Sequence, residues 1–507
     1  MSVIGTVMSW YFKKKVSSLD FAINNAAEIQ LNVLKRLLND AKNTEWGINN
    51  QYKNIESYED FKTRFPIQDY EDLKPFIERI MKGESNILWP GETTWFAKSS
   101  GTTCDKSKFI PVSFETLEEC HFQGGRDVLS FYCQNMPETN VFDGKGLLIG
   151  GSHKINSLNE NSFYGDLSAV LMNNMPTWAN LMKTPDKSIA LMDDWEEKLD
   201  KMALQVIDED VTSISGVPTW TMILLEKILT QKGVTNIQEI WPNLELYIHG
   251  GVSFTPYKAQ FKRLIQSSKM NYLETYNASE GFFGLQNDLS DENLLLMPDY
   301  GIFYEFIKIT DLDILNSPTY LLGEIEKDIN YAVIISNSSG LWRYKLGDTI
   351  CFKSTNPYKF KITGRTKLFM NAFGEEVVIE NAEKAIAFAC ETTNSKVRDY
   401  TAAPIYLEDK NNAGHEWLIE FEQEPTSLKE FAIALDLKLK EINSDYEAKR
   451  HKDIALKLPI IKTLPAQTFY KWLKIKGKLG GQNKVPRLSN DRKIVEEILL
   501  SMQNTSI

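Results

Sequence analysis

Cysteine and histidine are scarce in this chain of 507 residues, five of each, and neither a CxxC pair nor a zinc-like Cys/His spacing occurs. Cys104, Cys120, Cys133, Cys351 and Cys390 therefore argue against a disulfide framework or structural zinc and fit a reducing compartment, the cytoplasm. Basic residues are outnumbered, 57 Lys and Arg against 68 Asp and Glu, for a formal net charge of −11. With no dominant basic stretch, a nucleic-acid partner is not expected, because its phosphates are repelled. No run reaches the roughly 20 apolar residues of a spanning helix, so stable membrane insertion is not expected either. The opening MSVIGTVMSWYFKKK has a short apolar run with its charge after it and no small-residue cleavage site. It reads as a strand or helix start tucked against the body, with an amphipathic docking segment as the alternative.

Apolar residues make up 42% and charged residues 25%, the balance of a globular protein, and the length calls for two or more compact units. Helical periodicity from Leu19 through Val33, Leu34, Leu37 and Leu38 predicts a helix with Gly47 as its stop, and a second runs from about Asp69 to Gly83. Ser113 reads as the N-cap of FETLEECHFQGGRDVLSFYC. Short apolar runs then alternate with helical ones: GLLIGG, VTSISG before PTWTMILLEKIL, LELYIHGG before PYKAQFKRLI, then NYLETY. That alternation predicts an α/β fold with largely parallel strands, and GIFYEFI, YAVIISN and GDTICF predict a sheet or β-barrel-like section between Gly301 and Phe360. A boundary is expected near Gly364 to Lys367, before helical patterns return.

The chemistry concentrates first in Ser99-Ser100-Gly101-Thr102-Thr103, with Lys106 and Lys108 close behind. Glycine lets backbone approach closely, hydroxyls and amides donate to phosphate oxygens, and a lysine offsets their charge. The GxxxxGK[ST] spacing of a P-loop is absent, and a Ser/Thr/Gly run alone also makes an ordinary turn.

Three stretches follow it in order: YNASEGFFG (Tyr276 to Gly284), GLWRYKLGD (Gly340 to Asp348) and GRTKLFMNAFGEE (Gly364 to Glu376). Together with SSGTT they resemble the GH3 acyl-acid amido synthetases, a branch of the adenylate-forming superfamily that includes acyl-CoA synthetases and luciferases. The resemblance runs from MSVIGTVMSW to GGQNKVPRL (Gly480 to Leu488) and takes in WPNLELYIHGG, which ends at Gly251, and LLLMPDYGIFYEF. It implies a large N-terminal adenylation domain, 1–364, of parallel sheets with helices plus the barrel-like section, and a smaller C-terminal α+β mobile cap, 365–507. It also implies the reaction: a small carboxylic acid is adenylated by ATP with Mg²⁺, and an amino acid amine then takes the acyl group.

By that resemblance Ser99, Ser100, Gly101, Thr102 and Thr103 contact phosphates, and Gly251, Tyr276 and Ser279 fall among the nucleotide-binding positions. Glu280 looks like the magnesium-binding glutamate, a hard oxygen ligand of the kind Mg²⁺ prefers. Asp348 resembles the aspartate that accepts from ribose hydroxyls, and Arg365 is a second ribose or phosphate contact. Lys484, in a glycine-flanked loop, looks like the lysine that enters from the cap to neutralise α-phosphate charge, with Lys478 as its rival. Each has a plainer reading: helix capping for the hydroxyls and Glu280, core packing for Tyr276, a turn for Asp348, a solvated surface for Lys484. Arg343 reads as one half of a local ion pair. Trp220, Met222, Ile223 and Leu225, with Phe122, Val128, Phe131 and Tyr132, are either acyl-pocket walls or plain core. A coenzyme A-dependent thioester ligase and a noncatalytic binding protein of the same fold are the alternatives. A hydrolase is disfavoured, since GGSHK at Gly150 is not GxSxG.

Overall fold

A computed structural model describes residues 2–99, 108–150, 155–192, 194–251, 254, 257–312, 317–366, 369–370, 377–406, 413–443, 446–447, 450, 456–478, 484–489 and 491–503. At its centre lies one mixed sheet of eleven strands. Lys183–Thr184, Lys145–Ile149, Val211–Gly216, Leu246–Gly250 and Asn271–Ala278 run parallel in that spatial order. Parallel neighbours need crossovers, and the helices Pro218–Lys232 and Lys258–Leu264 supply two of them. Pro218 fits the first turn because its missing N–H has no intrahelical partner there, and Gly233 ends the helix at φ 69°.

From Asn271–Ala278 the sheet continues antiparallel through Gly281–Leu285, Leu294–Leu296, Tyr358–Arg365, Tyr344–Thr355, Asn330–Asn337 and Ile302–Lys308. The strands expected between Gly301 and Phe360 are this half. Ile302–Lys308 and Asn330–Asn337 are buried along nearly their whole length, not on alternate residues, because both faces are covered. Tyr276 and Asp348 stand on strands with three others between them, yet their side chains meet, so this half curls strongly on itself.

The N-terminal segment is a helix, Val3–Asn24, tucked along the helix Phe122–Asn135, with Phe12 stacked on Phe142 at 5.2 Å. The next helix, Ala26–Ala41, stops at Lys42 and not at Gly47, which lies inside the short helix Glu45–Asn49. Thr44 explains the difference: its Oγ1 accepts from Gly47 N at 3.0 Å and caps a new helix where the pattern reads as continuous. The helix after Asp69 spans Tyr70–Met81, and Ser113 Oγ accepts from Thr116 N at 3.0 Å as expected.

Beyond Arg365, the strands Lys396–Tyr406, Ala413–Gln423 and Ile460–Leu464 form a small sheet under the helices Ile379–Thr392 and Leu428–Ile442. Ile386, Trp417, Phe431 and Leu435 belong to a core of their own, separate from the two large clusters of the preceding part. Polar contacts join the parts: Lys474 to Glu196 at 2.9 Å, Gln260 Nε2 to the Val397 carbonyl at 3.3 Å, and Arg487 to Tyr257. No helix among the described residues is long and apolar enough to cross a membrane.

Candidate active site

The carboxyl ends of the central parallel strands and the antiparallel half open onto one cavity of about 1190 Å³, roomier than a single drug-sized site. The strand Asn271–Ala278 carries Tyr276 to its wall, and the two-residue turn to Gly281–Leu285 adds Ser279 and Glu280, both buried. The Glu280 carbonyl accepts from Asn337 Nδ2 at 2.8 Å, which pins this turn to the far antiparallel strand Asn330–Asn337. Tyr276 Oη donates to Asp348 Oδ2 at 2.5 Å within a buried pair. A charge-assisted bond of that length fixes the carboxylate's orientation, and its four lone-pair sites leave acceptor capacity for further donors. The tyrosine ring packs against Phe283 at 4.7 Å, so its own position is set by core contacts.

Lys484 reaches this wall from the C-terminal part, and its ammonium donates to the carbonyl oxygen of Gly251, just past the strand Leu246–Gly250. Gly251 has φ +79°, and a Cβ there would stand 2.9 Å from Lys484 Nζ. The left-handed backbone favours glycine there, and a Cβ would push the end of the Lys484 side chain aside. Lys478, the rival, is exposed and lies off the cavity wall.

Ser99 ends the strand Trp95–Ser99, opposite Lys108 in an antiparallel pair. Ser100, Gly101, Thr102 and Thr103 lie outside the described residues, as do Lys106, the NAFGEE stretch and the side chains of Ser99 and Arg365. The return strand does reach the cavity: Lys108 Nζ is 3.4 Å from Tyr344 Oη and sits over the rings of Tyr70 and Tyr344. Arg365 is the ladder partner of Asp348, so its backbone runs beside the site. Arg343 is held away, in a buried ion pair with Glu305 at 2.7 Å. Of the apolar positions named from sequence, Trp220, Phe122 and Val128 line the cavity, whereas Met222, Leu225, Phe131 and Tyr132 are core and Ile223 packs against it.

His121, Arg126 and Lys183 are wall residues that no motif marks, and His249, inside the WPNLELYIHGG segment, also lines the cavity. Burial holds His121 down to about 4, despite an opposing hydrogen bond with Asn277 Oδ1 at 2.9 Å, so its ring is neutral at pH 7. Burial, and secondarily Lys258, takes His249 to about 3. His121 ends a π-helical turn, Thr116–His121, a geometry that 3.6-residue periodicity does not announce.

A mixed sheet with a cleft at the carboxyl ends of its parallel strands and a small C-terminal α+β part is a fold the chain shares with solved acyl-acid and acyl-CoA ligases. The solved 2-hydroxyisobutyryl-CoA ligase, in its postadenylation state with R3-HIB-AMP, has this fold at a TM-score of 0.57, with 11% identity over 98% of this chain and 92% of that one. The likeness to the AtGH3.15 acyl acid amido synthetase in complex with 2,4-DB is greater, TM-score 0.79 with 16% identity over 96% of both chains.

Within that class the chain belongs to the GH3 family. Residues 15–270 match the GH3 family N-terminal domain, 295–365 the central domain and 380–493 the C-terminal domain. A jasmonoyl–L-amino acid synthetase of Nicotiana attenuata is 25% identical, covering 90% of each chain, and the 4-substituted benzoates–glutamate ligase GH3.12 of Arabidopsis thaliana is 22% identical, covering 96% of each. These relatives are acid–amino acid ligases, and their family is one of enzymes of that class.

Proposed function

We propose that the protein is an ATP-dependent acyl-acid amido synthetase acting on a small carboxylic acid and an amino acid. The observation that carries this reading is Lys484: a cap lysine at Gly251, on the same wall as Tyr276, Glu280 and Asp348, at the carboxyl ends of parallel strands, where α/β sheets bind ligands. In the first step a carboxylate oxygen of the acid attacks the α-phosphorus of ATP and the bond to pyrophosphate breaks. Lys484 neutralises the charge that gathers on the α-phosphate, Asp348 accepts from the ribose hydroxyls, and Ser99 to Thr103 and Arg365 contact phosphate or ribose. In the second step the amine nitrogen attacks the acyl carbon, AMP leaves with the bonding pair, and the amine gives up a proton.

Magnesium fits a shared site and not a cage. Among the described residues no group of three or more His, Cys, Asp or Glu could hold a metal alone, while Glu280 offers one carboxylate at the cavity. Mg²⁺ commonly takes one or two carboxylates and completes its shell with phosphates and water. When bound it would supply charge neutralisation on the phosphate chain, and Glu280 would hold it there.

The body is residues 1–364 and the cap 365–507, hinged just after the strand Tyr358–Arg365, so the cap can present Lys484 for adenylation and rotate for amide formation. The free thiols Cys120, Cys133, Cys351 and Cys390 suit the reducing cytoplasm. A thioester-forming ligase shares the first step and is the second reading, prompted by the fold likeness to a CoA ligase. Supplying ATP, Mg²⁺ and a panel of acids with either amino acids or coenzyme A separates them: the amide is expected, and turnover with coenzyme A alone excludes it.

A further inference from the structure

Lys183 stands on the edge strand Lys183–Thr184, paired in register with Gly146 of the strand Lys145–Ile149. It lines the cavity, as do Gly146, Ser213 and Ser215 on the neighbouring strands. Its ammonium has a thioether contact, Met175 Sδ, as its side-chain partner, and among the described residues no carboxylate pairs with it. Burial alone pushes the amine down to about 8, with no opposite charge to offset it. Two carboxylates of neighbouring segments are engaged elsewhere. Asp166 caps its helix through Ala169 N at 2.7 Å and acts on Lys198, and Glu209 pairs with Lys145 at 3.2 Å. A lysine kept in a cleft without a counter-ion is costly to the fold and awaits an anion.

The register fixes where that anion lies. Gly146 pairs with Ser213 and Ser213 with Leu246, so Lys183 sits three strands across from Leu246, and Leu246 is four residues before Gly250. At roughly 3.3 Å per residue and 4.8 Å per strand, the Lys183 backbone is about 13 Å along and about 14 Å across from the Gly250 end where Lys484 enters. Together these amount to roughly 20 Å, of which a lysine side chain spans about 6 Å, leaving a gap on the order of 14 Å. The same cavity has apolar wall residues, Leu129, Leu148, Leu171 and Met182 among them.

We propose that the acid used by this cleft carries a second carboxylate at the far end of an apolar spacer, and that Lys183 receives it. This rests on the amido synthetase reading. Lys183 is then a specificity residue for the acid, with no role toward the amino acid. Decanedioate and its monomethyl ester share a length of this order and differ only in the distal charge.

Acid-dependent ATP–pyrophosphate exchange, which reads the adenylation step alone, is measured without amino acid for both compounds, in the native protein and in Lys183→Met and Lys183→Gln. The native protein is expected to favour the diacid in kcat/KM by at least about tenfold, the worth of one charge-assisted hydrogen bond. Lys183→Met is expected to erase or reverse that preference while retaining turnover of the ester, and the KM of the amino acid in the full reaction is expected to stay unchanged. Equal use of both acids by the native protein, or a preference that survives in Lys183→Met, overturns the proposal. So does an effect confined to the amino acid. Calorimetric titration of decanedioate into both proteins keeps the two readings apart. Lys183-dependent binding without any pyrophosphate exchange upholds the anion site and sinks the synthetase reading, whereas turnover indifferent to Lys183 does the reverse.

Discussion

Asp348 is the nearest thing in the cleft to a fixed acceptor, because the Tyr276 hydroxyl holds it at 2.5 Å and core contacts with Phe283 hold the tyrosine. Tyr276→Phe removes that donor from a buried carboxylate, a loss of about 1–3 kcal/mol in the position of the charge. The expected result is a KM for ATP raised about tenfold or more in steady-state kinetics, with circular dichroism unchanged; an unaltered KM detaches Asp348 from nucleotide binding. Lys484 makes a different demand, since its role lies in the transition state and not in the ground state. Lys484→Ala is therefore expected to slow acid-dependent ATP–pyrophosphate exchange by roughly 10²-fold or more, while equilibrium binding of ATP changes little. Unchanged exchange removes Lys484 from the adenylation step.

At the scale of elements, the strand Leu246–Gly250 and its continuation at Gly251 decide whether that lysine can dock. Gly251→Ala adds a Cβ 2.9 Å from Lys484 Nζ at a backbone angle of +79°. A stability loss on the order of 1 kcal/mol in urea denaturation is expected from the left-handed backbone, with a larger fractional loss of exchange activity from the displaced lysine. If stability falls and activity holds, the docking contact is incidental. The parallel strands, their crossover helices and the Ser113 and Pro218 helix starts were readable from sequence, because period, cap and turn residues are local signals. The Thr44 cap that ends the first pattern before Gly47 was harder, since the two helices abut in one apolar run. Glu280, Asp348, Gly251 and Lys484 were found as motif residues and do share the cavity. Lys183, Arg126 and His121 carry no such mark, because only the fold sets which side of a strand or helical turn faces the cleft. Met222, Leu225, Phe131 and Tyr132 show the same limit in reverse, apolar residues whose faces turned to core.

At the scale of the whole molecule, the buried histidines couple the cleft to pH. His121 is brought from 6.5 to about 4 by burial, so the unfolded chain binds the proton more readily than the folded one. Its contribution to stability is present above pH 6.5 and is lost as pH falls toward 4, on the order of 3 kcal/mol in all. His249 acts in the same direction, and His249→Phe, placed where the ring already stacks on Phe254 at 4.2 Å, is expected to lose less Tm than the native protein between pH 6.5 and 4.5. Parallel Tm curves for the two proteins contradict that assignment. The larger claim is that body and cap together make one carboxyl-activating machine around a single nucleotide. Its direct test is mass spectrometry of a reaction containing ATP, Mg²⁺, a carboxylic acid panel and the amino acids. The account predicts AMP, pyrophosphate and an acyl-amino acid in equal amounts, all dependent on the acid. ADP and phosphate as products, or AMP formed with no amide, contradict it.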